Sequence, residues 1–428
     1  MKEFLNFLKE TPTAFHAAWK IKEILRAAGF VELSEKKKWQ LKPGGKYFVG
    51  RNMSSLCAFT IPKQDAVSFN ITAAHLDSPT FKLKPNFELH RSKYSVLNTE
   101  VYGGPIYSTW MDRPLGIAGR VLVDTDEGVC AKLVYLDRPL AVIPNLPIHY
   151  NRRVNEGVSL NPQTDLLPLF STNGGISLKR LLAEELKTDE SALLSGDLYL
   201  VVLDRGTLLG PNEEWIMAPQ IDNLECSYAL VQALLQADNQ TAINVAVLFD
   251  NEEIGSSTMQ GAGGTFLADT LERIALAIGK TKEEYLCLLS NSFLISADNA
   301  QGYHPNYPSK YDENNACYLN EGIVIKNAAK GSYTTSALSS AYFQKICQKA
   351  GVNYQLNANR SDIVGGSTLG AISVSQVSIP SVDIGLAQLA MHSAVETAGS
   401  ADLKSLILAV KSFYSHTLTP SDEEKLNF

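Results

Sequence analysis

Cysteine is scarce in this 428-residue chain and is not arranged for chemistry. The six residues Cys57, Cys130, Cys226, Cys287, Cys317 and Cys347 include no CxxC pair. That argues against a zinc–cysteine site and reads as mostly buried thiols in a reducing compartment. No apolar run reaches the length of a membrane span. Residues 1–10, MKEFLNFLKE, are charged and amphipathic, without the apolar core and cleavage site of a signal peptide. Positive charge is not in excess: 38 Lys and Arg against 45 Asp and Glu leave a net charge of −7. Neither nucleic acid nor an anionic membrane is therefore an expected partner. Low-complexity segments and short repeats are lacking too. A soluble cytoplasmic protein is the expectation these absences leave.

Core-forming material is plentiful, at 45% apolar residues, enough for two domains or for one large domain with an insertion. Apolar spacing from Phe15 to Ala28 predicts a helix stopped at Gly29. Residues 66–74 predict a strand running into His75-Leu76-Asp77-Ser78-Pro79. From about Phe81 to Gly210 short β-like runs dominate, punctuated by Gly, Pro and Asn, with one helical stretch at 178–186. From Asp222 the texture is α/β. Residues 224–235, 266–278 and 337–350 predict helices, and 242–249 and 293–296 predict strands. Residues 372–377 read as buried, and Ser400 reads as the cap of a last helix. Alternating strands and helices imply an α/β fold, a mainly parallel sheet covered by helices on both faces. Ligands bind such sheets beyond the carboxyl ends of the strands.

The chemistry gathers at those ends. Glu252 and Glu253 stand just past the apolar run 242–249. Two like charges there are costly unless a cation offsets them. A divalent metal would do so, with one carboxylate as ligand and its neighbour free for proton transfer. His75 and Asp77, two apart at a strand end, face one side. Asp77 could hold the metal-bound histidine's ring or sit behind the metals. The plain alternative is a strand-end histidine with a turn-capping Asp. Asp222 opens a helix and reads ordinarily as an N-cap, though a metal-bridging carboxylate also suits a helix start. Alone, Asp298 is an ordinary strand-end Asp, and His392 reads as a satisfied core histidine. Together, two histidines and three carboxylates at site edges suit two zinc-like ions sharing one carboxylate. Asp222, Glu253 and Asp298 bring −3 against +4 from the ions, and the remaining +1 suits a hydroxide. Glu252 is left as the general base. If His75 and Asp222 share a site, the chain between them is domain-sized. The expected organisation is a catalytic domain in two pieces, residues 1–85 and 211–428, around an inserted β-rich domain, residues 86–210.

These residues resemble the aspartyl aminopeptidase family of dinuclear zinc exopeptidases. The likeness runs through Thr13-Ala14-Phe15-His16, the segment 74–79, Tyr102-Gly103-Gly104 and Ser108 to Arg113. It continues through Ile221-Asp222-Asn223-Leu224, residues 249–256, Ser296-Ala297-Asp298, His304-Pro305-Asn306-Tyr307 and residues 388–393. The loop 299–322 otherwise departs from the eukaryotic members. The resemblance implies a zinc-exopeptidase type sheet and an inserted dimerisation domain. It implies one metal on His75, Asp222 and Asp298 and another on Asp222, Glu253 and His392, with Glu252 as base and Asp77 beside His75. Zinc is the expected ion, with cobalt or manganese as alternatives. The substrate is then a small peptide with a free N-terminus, and a preference for terminal Asp or Glu rests on the resemblance alone.

The resemblance also implies dimers assembling into a tetrahedral dodecamer. His149 matches a histidine that reaches a neighbouring subunit's site; the plain alternative is a β-edge surface histidine. Lys326, Tyr333, Gly365 and Gly366 match the substrate-pocket region. Lys326 could neutralise an acidic group, Tyr333 could donate to the oxyanion, and the glycine amides could bind substrate main chain. A solvated lysine, a packing tyrosine and a tight turn are their ordinary readings. Two rival functions use the same residues or none: a dinuclear deacylase or carboxypeptidase, and a catalytically silent assembly subunit. The complete ligand set argues against the second.

Overall fold

The computed structural model describes residues 1–363 and 365–417, with the backbone of 419–422 and 425–427. A nine-stranded sheet forms the centre, in the order Val31–Leu33, Lys46–Arg51, Ser55–Thr60, Ala242–Phe249, Ser68–His75, Phe293–Ala297, Ser381–Gly385, Ile323–Asn327 and Tyr354–Ala358. The middle strands Ala242–Phe249, Ser68–His75, Phe293–Ala297 and Ser381–Gly385 all run parallel. Antiparallel pairings occur only to either side of them. All eight residues of Ser68–His75 and of Ala242–Phe249 are buried, as strands covered on both faces must be.

Alternation divides these strands between two cores. Ala246, Leu248, Ile295 and Ile384 pack with the helices Ala14–Ala27, Ile221–Gln236, Ala337–Ala350 and Asp402–Tyr414. Val245, Val247, Ile71 and Leu294 pack with Phe266–Ala277 and Lys282–Ser290 on the other face. A second, antiparallel sheet of six strands runs in the order Gly128–Ala141, Leu115–Thr125, Leu193–Val202, Thr80–Arg91, Tyr94–Tyr102 and Leu169–Thr172. It has its own apolar core, closed by the helix Leu178–Leu186. Its first strand, Thr80–Arg91, crosses the junction expected at residue 85.

A third sheet has five short strands, in the order Thr207–Leu209, Trp215–Ala218, Glu396–Gly399, Ala387–Leu389 and Ala300–Gln301. It carries the turn that holds His392 and leads into Asp222.

Two local expectations are corrected. Ser400 does not cap the last helix, which starts at Asp402 after Ala401 with no side-chain cap. Its hydroxyl donates instead to the Glu213 carbonyl, at 2.8 Å. Residues 372–377 are not uniformly buried. They end the surface helix Leu369–Gln376, whose Ser375 and Gln376 are exposed because only one face of so short a helix can pack.

Candidate metal centre

Parallel strands bring their carboxyl ends to one edge, and the predicted ligands meet there. His75 is the last residue of its strand, Glu252 and Glu253 follow Ala242–Phe249 in a short 3-10 turn, and Asp298 follows Phe293–Ala297. Asp222 lies at the irregular start of Ile221–Gln236, where its ψ of 106° is not helical. His392 sits in the turn between Ala387–Leu389 and Glu396–Gly399.

The two imidazoles are fixed by their Nδ1 atoms. His75 Nδ1 lies 3.0 Å from the Asp77 carbonyl oxygen and His392 Nδ1 lies 3.1 Å from the Gly104 carbonyl oxygen. A carbonyl only accepts, so Nδ1 carries the proton and Nε2 is free on both rings. His75 Nε2 is 3.5 Å from Asp222 Oδ1 and 3.8 Å from Asp298 Oδ1. His392 Nε2 is 3.7 Å from Asp222 Oδ2 and 3.4 Å from Glu253 Oε2. One oxygen of Asp222 therefore faces each histidine.

These separations are long for hydrogen bonds. Two donors about 2.0–2.1 Å from one tetrahedral ion stand about 3.3–3.4 Å apart, close to what is seen. Within each of the sets His75/Asp222/Asp298 and Asp222/Glu253/His392 the ligand atoms lie within 4.8 Å of one another. Asp222 Oδ1 and Glu253 Oε1 are buried with no hydrogen-bond partner. Such oxygens cost about 1–3 kcal/mol or more unless satisfied, so the donor set fits a pair of cations. A third set, His75/Glu252/Glu253, has similar spacing. It competes for the one free nitrogen of His75, whose nearer carboxylates are Asp222 and Asp298, with Glu252 at 4.0 Å.

The supporting contacts are specific. The Asp77 carboxylate turns toward the glutamate turn: Oδ1 accepts from the Glu252 amide at 3.1 Å and Oδ2 from the Glu253 amide at 3.2 Å. Tyr102, from the six-stranded sheet, donates its hydroxyl to Asp77 Oδ2 at 2.8 Å. Asp77 thus holds the His75 ring chiefly through its carbonyl and the Glu252–Glu253 turn through its side chain. Gly103 has φ +70°, and a Cβ there would stand 3.1 Å from the Glu253 Cβ. Sequence reasoning missed Glu396. One of its oxygens accepts from the Asp222 amide at 3.0 Å, the other from the His392 amide at 2.8 Å and Gln388 Nε2 at 3.2 Å. Its only signal in the sequence is a lone carboxylate within SAVETAG.

The electrostatics of the metal-free chain follow from crowding. Glu252 is pushed up to about 8, mainly by burial, with Asp298, Asp222 and Asp77 adding to the rise and His75 opposing it. Burial and then Asp222 push Glu253 well above the ordinary range. Burial works against a charged His75, but Asp222, Asp298 and Asp77 outweigh it and hold the imidazole well above its usual value. Burial likewise opposes ionisation of Asp298, and Lys326 and His75 hold it below the usual carboxylate range.

All three raised groups, Glu252, Glu253 and His75, make the folded chain bind more protons than the unfolded one. Stability linked to Glu252 is lost as pH rises from 4.5 to about 8, and stability linked to His75 falls as pH rises above 6.5. The melting temperature of chelator-stripped protein should therefore fall between about pH 5 and pH 8, and added zinc should flatten most of that slope. A stripped protein that gains stability over this range would contradict the assignment.

The residues expected at a substrate pocket are partly gathered. Lys326 is 3% exposed, donates to the Asn299 carbonyl at 2.8 Å and lies 5.5 Å over the Tyr333 ring. It is not the solvated lysine of the ordinary reading. A Cβ at Gly365 would stand 3.9 Å from the Tyr333 hydroxyl, whereas Gly366 faces open space. His149 lies on an exposed turn and belongs to none of the three candidate ligand sets among the described residues. A separate cleft is lined by Asp77, Tyr102 and Glu396 but by none of the five predicted metal ligands.

No helix among the described residues is long and apolar enough to cross a membrane. A probable M18 family aminopeptidase 2 from Clostridium acetobutylicum is 44% identical over 424 residues, covering 97% of this chain and 98% of that protein. A chain in the cryo-EM structure of the Ape4 and Nbr1 complex superposes with a TM-score of 0.94 at 36% identity, over 97% of this chain and 85% of that one. The S. cerevisiae mApe1 dodecamer matches at 0.85 and 28% identity, over 97% and 96%. The family model for aminopeptidase I zinc metalloprotease (M18) matches residues 7–414, the span that holds every candidate ligand described above. On these grounds the chain belongs to the M18 family of zinc metallo-aminopeptidases.

Proposed function

We propose that this M18 aminopeptidase hydrolyses the N-terminal peptide bond with two divalent ions, one on His75, Asp222 and Asp298 and one on Asp222, Glu253 and His392. The observation that carries this is the division of Asp222, one oxygen toward each histidine at 3.5 and 3.7 Å, with Glu252 left outside both sets. Zinc is the proposed ion, with cobalt or manganese as alternatives; when bound, the pair supplies an acidified water and a polarised scissile carbonyl. Glu252 takes the proton of the attacking water and returns it to the nitrogen as the C–N bond breaks. Asp77 and Glu396 hold the backbone amides of the ligand-bearing turns and so keep the ligand side chains aimed.

Tyr333 donates to the oxyanion, the amides of Gly365 and Gly366 receive substrate main chain, and Lys326 supplies positive charge beside Asp298. That charge is the basis for a preference for N-terminal Asp or Glu. The antiparallel sheet spanning Thr80–Val202 is proposed as the dimerisation domain, within a dodecamer like that of the S. cerevisiae neighbour. On that reading His149 acts in a neighbouring subunit's site. Its surroundings support an interface, since Leu146, Ile148 and Tyr150 are 56%, 52% and 82% exposed in the single chain. A cytoplasmic location completes the proposal.

The test is a panel of aminoacyl substrates on zinc-loaded protein, Asp and Glu against Leu, Ala and Arg, with N-acetylated peptides alongside. Cleavage should need the free amine and favour the acidic residues. Equal rates on acetylated peptides would favour a deacylase or carboxypeptidase, and a flat side-chain profile would remove the acidic preference alone.

A further inference from the structure

Asp383 is a fully buried carboxylate in the middle of the strand Ser381–Gly385. Its neighbours Val382 and Ile384 point into the apolar core, and alternation sends Asp383 to the opposite face. There it joins two segments that are distant in the chain. Asp383 Oδ2 accepts from the Thr334 amide at 2.6 Å and the Thr334 hydroxyl at 2.9 Å. Asp383 Oδ1 accepts from the Thr368 hydroxyl at 2.7 Å. The Asp383 amide donates to the Thr335 hydroxyl at 3.0 Å.

Thr334 follows Tyr333 directly, in the loop between Ile323–Asn327 and Ala337–Ala350. Thr368 ends the short segment that holds Gly365 and Gly366 and precedes the helix Leu369–Gln376. Thr368 occupies that helix's N-cap position, yet makes no side-chain cap bond. Gly370 leaves the space: a Cβ there would stand 2.4 Å from Asp383 Oδ1. Lys326 belongs to the same group, its ammonium lying 5.5 Å over the Tyr333 ring.

We infer that Asp383 is the positioning residue of the substrate pocket, clamping the Tyr333 loop and the Gly365–Gly366 segment at a fixed separation around the bound peptide. The inference rests on the pocket reading given under Proposed function. No other described side chain is hydrogen-bonded to both Thr334 and Thr368. Because the bonds are made to a charged acceptor, losing the charge while keeping the shape should disturb both segments at once.

The experiment is a double-mutant cycle on the zinc-loaded full chain, reading kcat, KM and metal content. Asp383→Asn should lower kcat/KM by about ten- to a hundredfold while metal content stays at the unmodified level. Tyr333→Phe should lower it too. The double variant should lose no more than about twofold beyond Asp383→Asn, because both changes disable the same group. Losses that multiply across the cycle would overturn the inference, as would an Asp383→Asn enzyme with unchanged kcat/KM. Unchanged kcat/KM in Tyr333→Phe would instead overturn the pocket reading beneath it. If Asp383→Asn does not fold, the pair Thr334→Val and Thr368→Val serves in its place, with the same expected non-additivity toward Tyr333→Phe.

Discussion

Replacing Glu252 by Gln is expected to lower kcat by about 10²–10⁴-fold, with zinc content close to that of the unmodified enzyme. Gln keeps the size of the side chain and cannot act as a base. The backbone amide of residue 252 still donates to Asp77, so the turn that presents Glu253 should stay in place. Glu252 is also the carboxylate left over once two three-residue ligand sets have been drawn from the cluster. Metal analysis beside single-turnover kinetics checks the claim. Loss of zinc together with activity would mean that Glu252 is a ligand, through the set it shares with His75 and Glu253.

The second large effect is at Asp222. Asp222→Asn should abolish measurable turnover and lower the zinc content at both positions, because its two oxygens face two different histidines. A carboxamide offers one oxygen and no charge, and its NH2 group would face one of those histidines. Glu396→Gln is the informative comparison, since Glu396 holds the ligand-bearing segments without facing an ion. Loss of an outer partner of this kind costs about 10–100-fold in metal affinity. Added zinc should restore Glu396→Gln and should not restore Asp222→Asn. Zinc titrations of the two variants make the distinction, and an Asp222→Asn protein that still binds two ions would refute the bridging role.

Much of this site was legible in the sequence because parallel strands write plainly. The run Ala242–Phe249 is apolar throughout since both faces are covered, and its end marks where charge becomes meaningful. The same logic located His75 and Asp298, and spacing located the helix that carries Asp222. What stayed hidden obeys different physics. Glu396 reaches the Asp222 amide and Asp383 reaches the Thr334 amide, 174 and 49 residues away in the chain, so no local pattern announces them. The five-stranded sheet that places His392 is built from strands of two to four residues, too short to show a period. Ser400 carried a good capping signal, but its hydroxyl found the Glu213 carbonyl instead. His149 depends on a second copy of the chain in the proposed reading, and one chain's sequence holds no distance to it.

Anomalous diffraction from crystals of the zinc-loaded enzyme, collected on both sides of the zinc edge, tests the central claim most directly. The account predicts two peaks per chain. One should be bound by His75 Nε2, Asp222 and Asp298, the other by Asp222, Glu253 and His392 Nε2, with Glu252 touching neither. A single peak, or a peak ligated by Glu252 in place of Asp222, would contradict it.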